Sequence, residues 1–222
     1  MKLLTLSLFL ISTAVFGQCD NYFFLQAKKT VEVAVTDKKG KPNGKQLHKV
    51  QEVNKSGTTY SGTVSVEIYN EKGKLQGTNN VKVSCQGGIL NMDMRIFIPE
   101  EQSKQFNNAT ATTEEAYVEY PTTLKVGEKL KDGKIVMNID NNGLKQKLTV
   151  VVTDRMVEAE EKVTTPAGSW DTFKVHYKTM VNVETMGIPI KINVEGTEWY
   201  APGFGAVKTL SKYGTTEVVS IK

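Results

Sequence analysis

The chain has 222 residues, with 28 Lys and Arg against 24 Asp and Glu, a formal charge of +4 and 39% hydrophobic residues. The basic residues are interleaved with acids, as in EKGK and GEKLKDGK, which excludes a dense positive surface of the kind that binds nucleic acid. Two histidines and two cysteines, none in a C-x-x-C motif or at ligand spacing, exclude the common zinc and redox signatures.

Residues 1–17, MKLLTLSLFLISTAVFG, read as a secretory signal peptide. Lys2 precedes an apolar run, Leu3 to Ile11, and Val15 and Gly17 are the small residues that signal peptidase reads. The run is shorter than the roughly 20 residues that span a bilayer as a helix, and no later segment is longer, so no transmembrane segment is expected in the mature chain. The expected organisation is a signal peptide over 1–17 and a single antiparallel β domain over 18–222. The expected location is outside the cytoplasm: periplasmic, envelope-associated or secreted. Cys19 follows closely enough to suggest a lipoprotein signal. Gln18 stands where such signals carry Gly, Ala or Ser, so plain export is the reading and acylation of Cys19 the alternative.

From residue 30 onward the pattern has period two. Val31, Val33 and Val35 alternate with Glu32, Ala34 and Thr36, and Val64, Val66 and Ile68 with Ser65, Glu67 and Tyr69. Leu90, Met92, Met94, Ile96 and Ile98 share one face. The pair Lys39-Gly40, then Asn43-Gly44 and Lys72-Gly73, mark turns. Pro99 followed by two acids predicts a short helix over 99–106, with a loop after it and EEAYVEYP as its extension or a second turn. Asp132-Gly133 and Asn142-Gly143 predict tight hairpins. Leu148, Val150 and Val152 form another strand face, then Phe173, Val175 and Tyr177, then Ile188, Ile190, Ile192 and Val194. One buried and one wet face per strand is the mark of antiparallel sheet. A meander this long curves or closes to hide its edges. The fold class is therefore all-β: a curved antiparallel meander forming a half-open or closed barrel with one short helix.

Cys19 and Cys85 are an even pair in an oxidising compartment and are expected to form a disulfide. By loop entropy it would contribute roughly 3–4.5 kcal/mol. His176 lies on the Lys174–Lys178 face and reads as solvated. His48 reads as part of a polar loop or strand edge. No nucleophile elbow, phosphate loop, dinucleotide fingerprint or metal signature is present. The reading is of no catalytic residue, no metal and no cofactor. The methionines read as core filling or as the lining of an apolar cavity.

Two segments near the C-terminus carry a resemblance. Thr165 to Lys174, TPAGSWDTFK, is a Pro-Gly turn launching a strand, with Trp170 available to pack. Glu198 to Lys208, EWYAPGFGAVK, is a strand ending in the pair Trp199-Tyr200, then a bend through Pro202, Gly203 and Gly205. With the early cysteine and the run SCQGGILNMDMRIFIP, they resemble TapB-like exported proteins and related exported β-domain families of unknown function. The resemblance implies a curved antiparallel sheet or partly open barrel, and no reaction. The expected function is non-enzymatic binding of an apolar or lipid-like ligand, in a cavity lined by Met92, Met94, Ile96, Phe173, Val175 and Ile190. The alternative is an envelope protein–protein interaction module. A hydrolase whose site is assembled only in space is the third reading.

Overall fold

Alternation becomes strand almost wherever it was read. The computed structural model describes residues 19, 22–97, 110–113, 117–141 and 143–222. The first half gives β1 (Thr30–Asp37), β2 (Pro42–Ser56), β3 (Thr59–Asn70), β4 (Leu75–Gln86), β5 (Ile89–Asp93), β6 (Thr110–Thr113) and β7 (Tyr117–Pro121). The second gives β8 (Gly133–Asn141), β9 (Leu144–Thr165), β10 (Gly168–Thr185), β11 (Ile188–Ala201), β12 (Gly205–Ser211) and β13 (Gly214–Ile221). Short 3-10 turns cover Phe23–Leu25 and Met94–Phe97. The helix expected over 99–106 lies outside the described residues.

All thirteen strands belong to one sheet, ordered β6-β8-β9-β10-β11-β12-β13-β1-β2-β3-β4-β5-β7. The last strand pairs with the first, Val31 opposite Ile221 and Asp37 opposite Gly214, so the two halves of the meander are stitched together. The sheet curls into a nearly closed antiparallel barrel. Its one unsealed seam lies where the β7 edge meets β8 and β9. Among the described residues no ladder crosses there. The Arg155 side chain of β9 crosses it instead, donating from Nη1 to the carbonyls of Glu119 at 3.0 Å and Lys131 at 2.9 Å. An exposed ion pair between Lys131 and Glu119 at 2.7 Å lies over the same join.

Several local expectations are corrected. EEAYVEYP does not continue a helix: its described part, Tyr117–Pro121, is strand β7, with Val118 and Tyr120 turned inward. The strand face through Leu90 and Met92 stops at Asp93. The Asp93 carboxylate takes the backbone N–H of Arg95 at 2.9 Å, and the chain turns into 3-10 geometry with Met94 inside it. Asp132-Gly133 is not a hairpin turn. Gly133 opens β8 against the seam, where a Cβ would fall 2.8 Å from Met94 Sδ and 2.9 Å from Val118, so glycine is needed there for close approach. The other expected turn does join a hairpin, with Asn141 opposite Leu144 and Gly143 at φ +88°; Asn142 lies outside the described residues.

One end of the barrel is plugged by aromatic rings. Phe204, in the bend after β11, packs against Phe23 (centroids 5.0 Å), Phe24 (5.8 Å) and Trp170 (4.6 Å). Gly203 makes the bend possible at φ +79°, and its carbonyl accepts the N–H of Phe23 at 2.8 Å. The Cys19–Cys85 disulfide, with Cα atoms 5.6 Å apart, ties this N-terminal turn to β4. Its closing of a 66-residue span restricts the unfolded chain more than the folded one.

Candidate ligand cavity

Beneath the aromatic plug the barrel interior holds a cavity of about 210 Å³. Phe24 and Phe204 form its lid, and Val31, Val33 and Val218 one apolar wall. Met92, Tyr120, Tyr177 and Tyr200 form the facing side, and His48 and Glu198 bring an imidazole and a carboxyl.

Each polar group reaches the interior by strand parity. On β11, Ile192, Val194, Gly196, Glu198 and Tyr200 share one face, and the pairing with β10 runs without a bulge from Ile188 to Tyr200. Glu198 is therefore carried inside with its apolar neighbours and is 3% exposed. Gly196 leaves room for the Tyr177 ring, which a Cβ would meet at 2.5 Å. On β9 parity changes. Leu148, Val150 and Val152 face inward, but the ladder to β10 skips a residue between His176 and Lys178, and Asp154 sits at φ +53°. This β-bulge turns Asp154 and Met156 outward and Arg155 and Val157 inward.

Arg155 is 1% exposed, and its guanidinium stacks 4.5 Å from the centre of the Tyr120 ring. Tyr120 in turn stacks on Tyr200, centroids 4.5 Å apart and nearly parallel. The Tyr120 hydroxyl donates to Glu198 Oε1 at 2.8 Å. Burial pushes the Glu198 carboxyl above the usual range; the Arg155 charge and the Tyr120 hydrogen bond pull the other way. Burial likewise raises the Tyr120 and Tyr200 phenols well above theirs. Arg155 Nη2 is buried with no hydrogen-bond partner, and the buried Tyr200 hydroxyl is coupled to the hydroxyl of Tyr22. His48 lies in β2, not in a loop or at an exposed edge, and faces inward. Burial lowers its pKa to about 4, so it is neutral at pH 7, with Nε2 2.9 Å from Gln46 Oε1. Among the described residues no group of three His, Cys, Asp or Glu converges as a metal site would require.

The DUF3108-like family model matches residues 26–220, nearly the whole sheet. The chain belongs to the DUF3108-like family. Two solved structures share the architecture of this DUF3108-like chain. One, from Bacteroides fragilis, is described as exported with a YmcC-like fold; at 20% identity it superposes with a TM-score of 0.71 over 90% of this chain and 98% of its own. The other, from Parabacteroides distasonis, is described as a lipoprotein; it gives 0.73 at 20% identity over 90% of this chain and 99% of its own. At that identity they speak to the fold alone. No curated protein matches the chain. The resemblance to exported β-domain proteins is thus met at the level of the DUF3108-like family, while the TapB name is not among these matches. Among the described residues of this DUF3108-like protein, no helix is long and apolar enough to cross a membrane, a statement that does not bear on strands.

The residues singled out from sequence do not share one place. Met92 and Tyr200 line the cavity. Met94 and Val175 are fully buried in the core around it, and Phe173 is partly buried and packs against that core. Trp170 joins the plug, whereas Trp199 faces outward, with Lys208 over its ring and its indole N–H donating to Glu161. The Ile96 side chain lies outside the described residues. Ile190 departs most from expectation. It is on the inner face of β11, but at the end that projects past the barrel, and is 62% exposed. The cavity residues that went unnoticed are Glu198, Tyr120 and His48. Extending the β11 alternation through Val194 and Gly196 would have placed Glu198 inside.

Proposed function

We propose that this chain is a non-enzymatic exported envelope protein that holds one apolar or lipid-like ligand inside its barrel. The observation that carries the reading is the luminal cavity: aliphatic and aromatic walls, with a few buried polar groups at fixed positions, as ligand sites generally have. Its roughly 210 Å³ falls below the ~300–1,000 Å³ usual for drug-sized ligands, so a single narrow chain or small ring suits it. Export is supported by the signal-like residues 1–17 and by the descriptions of the two structural relatives. Kinship with TapB-like exported proteins belongs to the same proposal, as does the single-domain organisation of residues 18–222. The test is native mass spectrometry of the mature protein purified from an exporting cell, followed by organic extraction. A stoichiometric apolar adduct released by extraction is the expected result. Bare protein that also fails to take up added amphiphiles would overturn the reading.

A second reading, an envelope interaction module, rests on a different observation. At the β10–β11 tip Met186, Ile188 and Ile190 are 81%, 69% and 62% exposed. Exposed apolar residues grouped in this way mark contact surfaces. Replacing all three with Ser should abolish association with an envelope partner and leave the barrel folded, if this reading is correct.

A further inference from the structure

Because the meander is antiparallel, alternate hairpin turns gather at the same end of the barrel. The turns after β1, β3, β8, β10 and β12 lie at the end away from the aromatic plug. In sheet order they recur at every second strand, so neighbouring tips stand about 10 Å apart around the rim. Their described residues, within 37–41, 70–75, 140–145, 185–191 and 210–214, hold eight lysines against three acids, a surplus larger than the +4 of the whole chain. All eight lysines are exposed, and among the described residues none of them is in an ion pair. Two of the acids are committed to their own turns: Asp37 Oδ1 accepts the N–H groups of Lys39 and Lys41, and Asp140 Oδ1 that of Gly143. The turns at the plugged end, 57–58, 87–88, 166–167 and 202–204, carry no charged residue. Charges that are interleaved along the chain are thus sorted in space by the fold.

The same rim carries apolar side chains. Among the described residues ten large apolar side chains are exposed, and seven of them lie in these turns. Leu75 is on one tip and Leu144 on another, Leu210 and Tyr213 share a third, and the Met186–Ile190 group is on a fourth. Apolar side chains spread over separate tips do not form the single patch that a protein interface centres on. A bilayer surface is fluid and admits each tip independently. Its anionic headgroups match the lysines, and the boundary between headgroups and acyl chains matches the apolar side chains.

We propose that the end of the barrel opposite the plug docks on a bilayer surface that contains anionic phospholipid. The lysines pair with headgroup phosphates, and the apolar tips enter the boundary beneath them. The proposal concerns the rim and stands whether or not the cavity holds a ligand.

The experiment is co-sedimentation of the full mature protein with vesicles of phosphatidylcholine alone, or of phosphatidylcholine with about one third phosphatidylglycerol. Binding to the anionic vesicles should be at least about tenfold tighter and should weaken as salt rises. Lys39→Gln with Lys72→Gln should weaken it by at least about fivefold. Lys28→Gln with Lys125→Gln removes the same charge at exposed sites away from the rim, and should weaken binding by less than about twofold. The tryptophan emission of Ile188→Trp should shift to the blue on anionic vesicles, as a tip that enters the boundary requires. Equal partition onto both vesicles, equal losses in the two double variants, or an unshifted Ile188→Trp emission overturns the proposal. Absence of binding to either vesicle also overturns it, and leaves the β10–β11 tip to a protein partner.

Discussion

The two ends of strand β11 share one inner face and one unbroken register, yet they invert the usual rule. At the plugged end the inner face buries a carboxylic acid, Glu198. At the other it exposes two isoleucines, Ile188 and Ile190. Hydropathy alone would exchange them. The difference is in what surrounds each end. Glu198 is enclosed by neighbouring strands, by the Tyr120 hydroxyl and by the Arg155 charge, so its burial is partly compensated. Ile188 and Ile190 project on a hairpin beyond the strands that would cover them. A strand face is thus only an address, and the barrel around it decides between core and rim.

The largest expected effect breaks the polar end. Arg155→Met keeps much of the side-chain volume but strips the seam of its hydrogen bonds and Glu198 of its positive neighbour. Removing one member of a buried charged group costs about 3–5 kcal/mol, which urea denaturation should show; a loss under about 1 kcal/mol would mean that the seam does not depend on this residue. Next comes the tie at the plug. Cys19→Ala with Cys85→Ala should lower stability by about 2–4 kcal/mol, while the β-rich circular dichroism spectrum persists.

A third test uses pH. His48 binds a proton only near pH 4 when folded, but near 6.5 in the unfolded chain. Between those values the unfolded state carries more protons, so stability rises with pH across the window and is lost on acidification. The loss from pH 6.5 to 4 should approach about 3 kcal/mol, and His48→Gln should flatten this part of the profile. Glu198, whose carboxyl is raised by burial, acts with the opposite sign: its contribution is present below its ordinary range and declines as pH rises through the folded value. The smallest effect belongs to the rim. Ile188→Ser and Ile190→Ser should each change stability by no more than about 0.5 kcal/mol, and a loss above 2 kcal/mol would show that the hairpin tip is covered.

Much of the fold was legible because side-chain alternation is a short-range property. The faces of Val31 and Val33, of Val64 and Val66, and of Leu148 to Val152 lie buried as the pattern implied, and the cysteine pair is bridged as parity and compartment implied. Three kinds of event were not legible. A β-bulge at Asp154 reverses parity, so Arg155 could not be placed inside by counting in twos. A 3-10 turn ends the run of methionines at Met94. The overhang of a hairpin depends on how far neighbouring strands extend, which no single strand records. Glu198 was within reach of the pattern, but its chemistry argued against the address that its position gave. His48 was misplaced because LHKV looks polar, although its inward neighbour on the strand is Val50.

The central claim is that the cavity under the aromatic plug takes a ligand, and filling it is the most direct test. Ala206 lines the space with a single methyl group. Titration of decanol into the mature protein and into Ala206→Leu, with thermal unfolding of both in parallel, separates occupancy from folding. The account predicts one site in the wild type, an affinity lower by at least about tenfold in the variant, and a melting temperature that is unchanged or raised. Equal binding by both proteins, or none by the wild type, would contradict it.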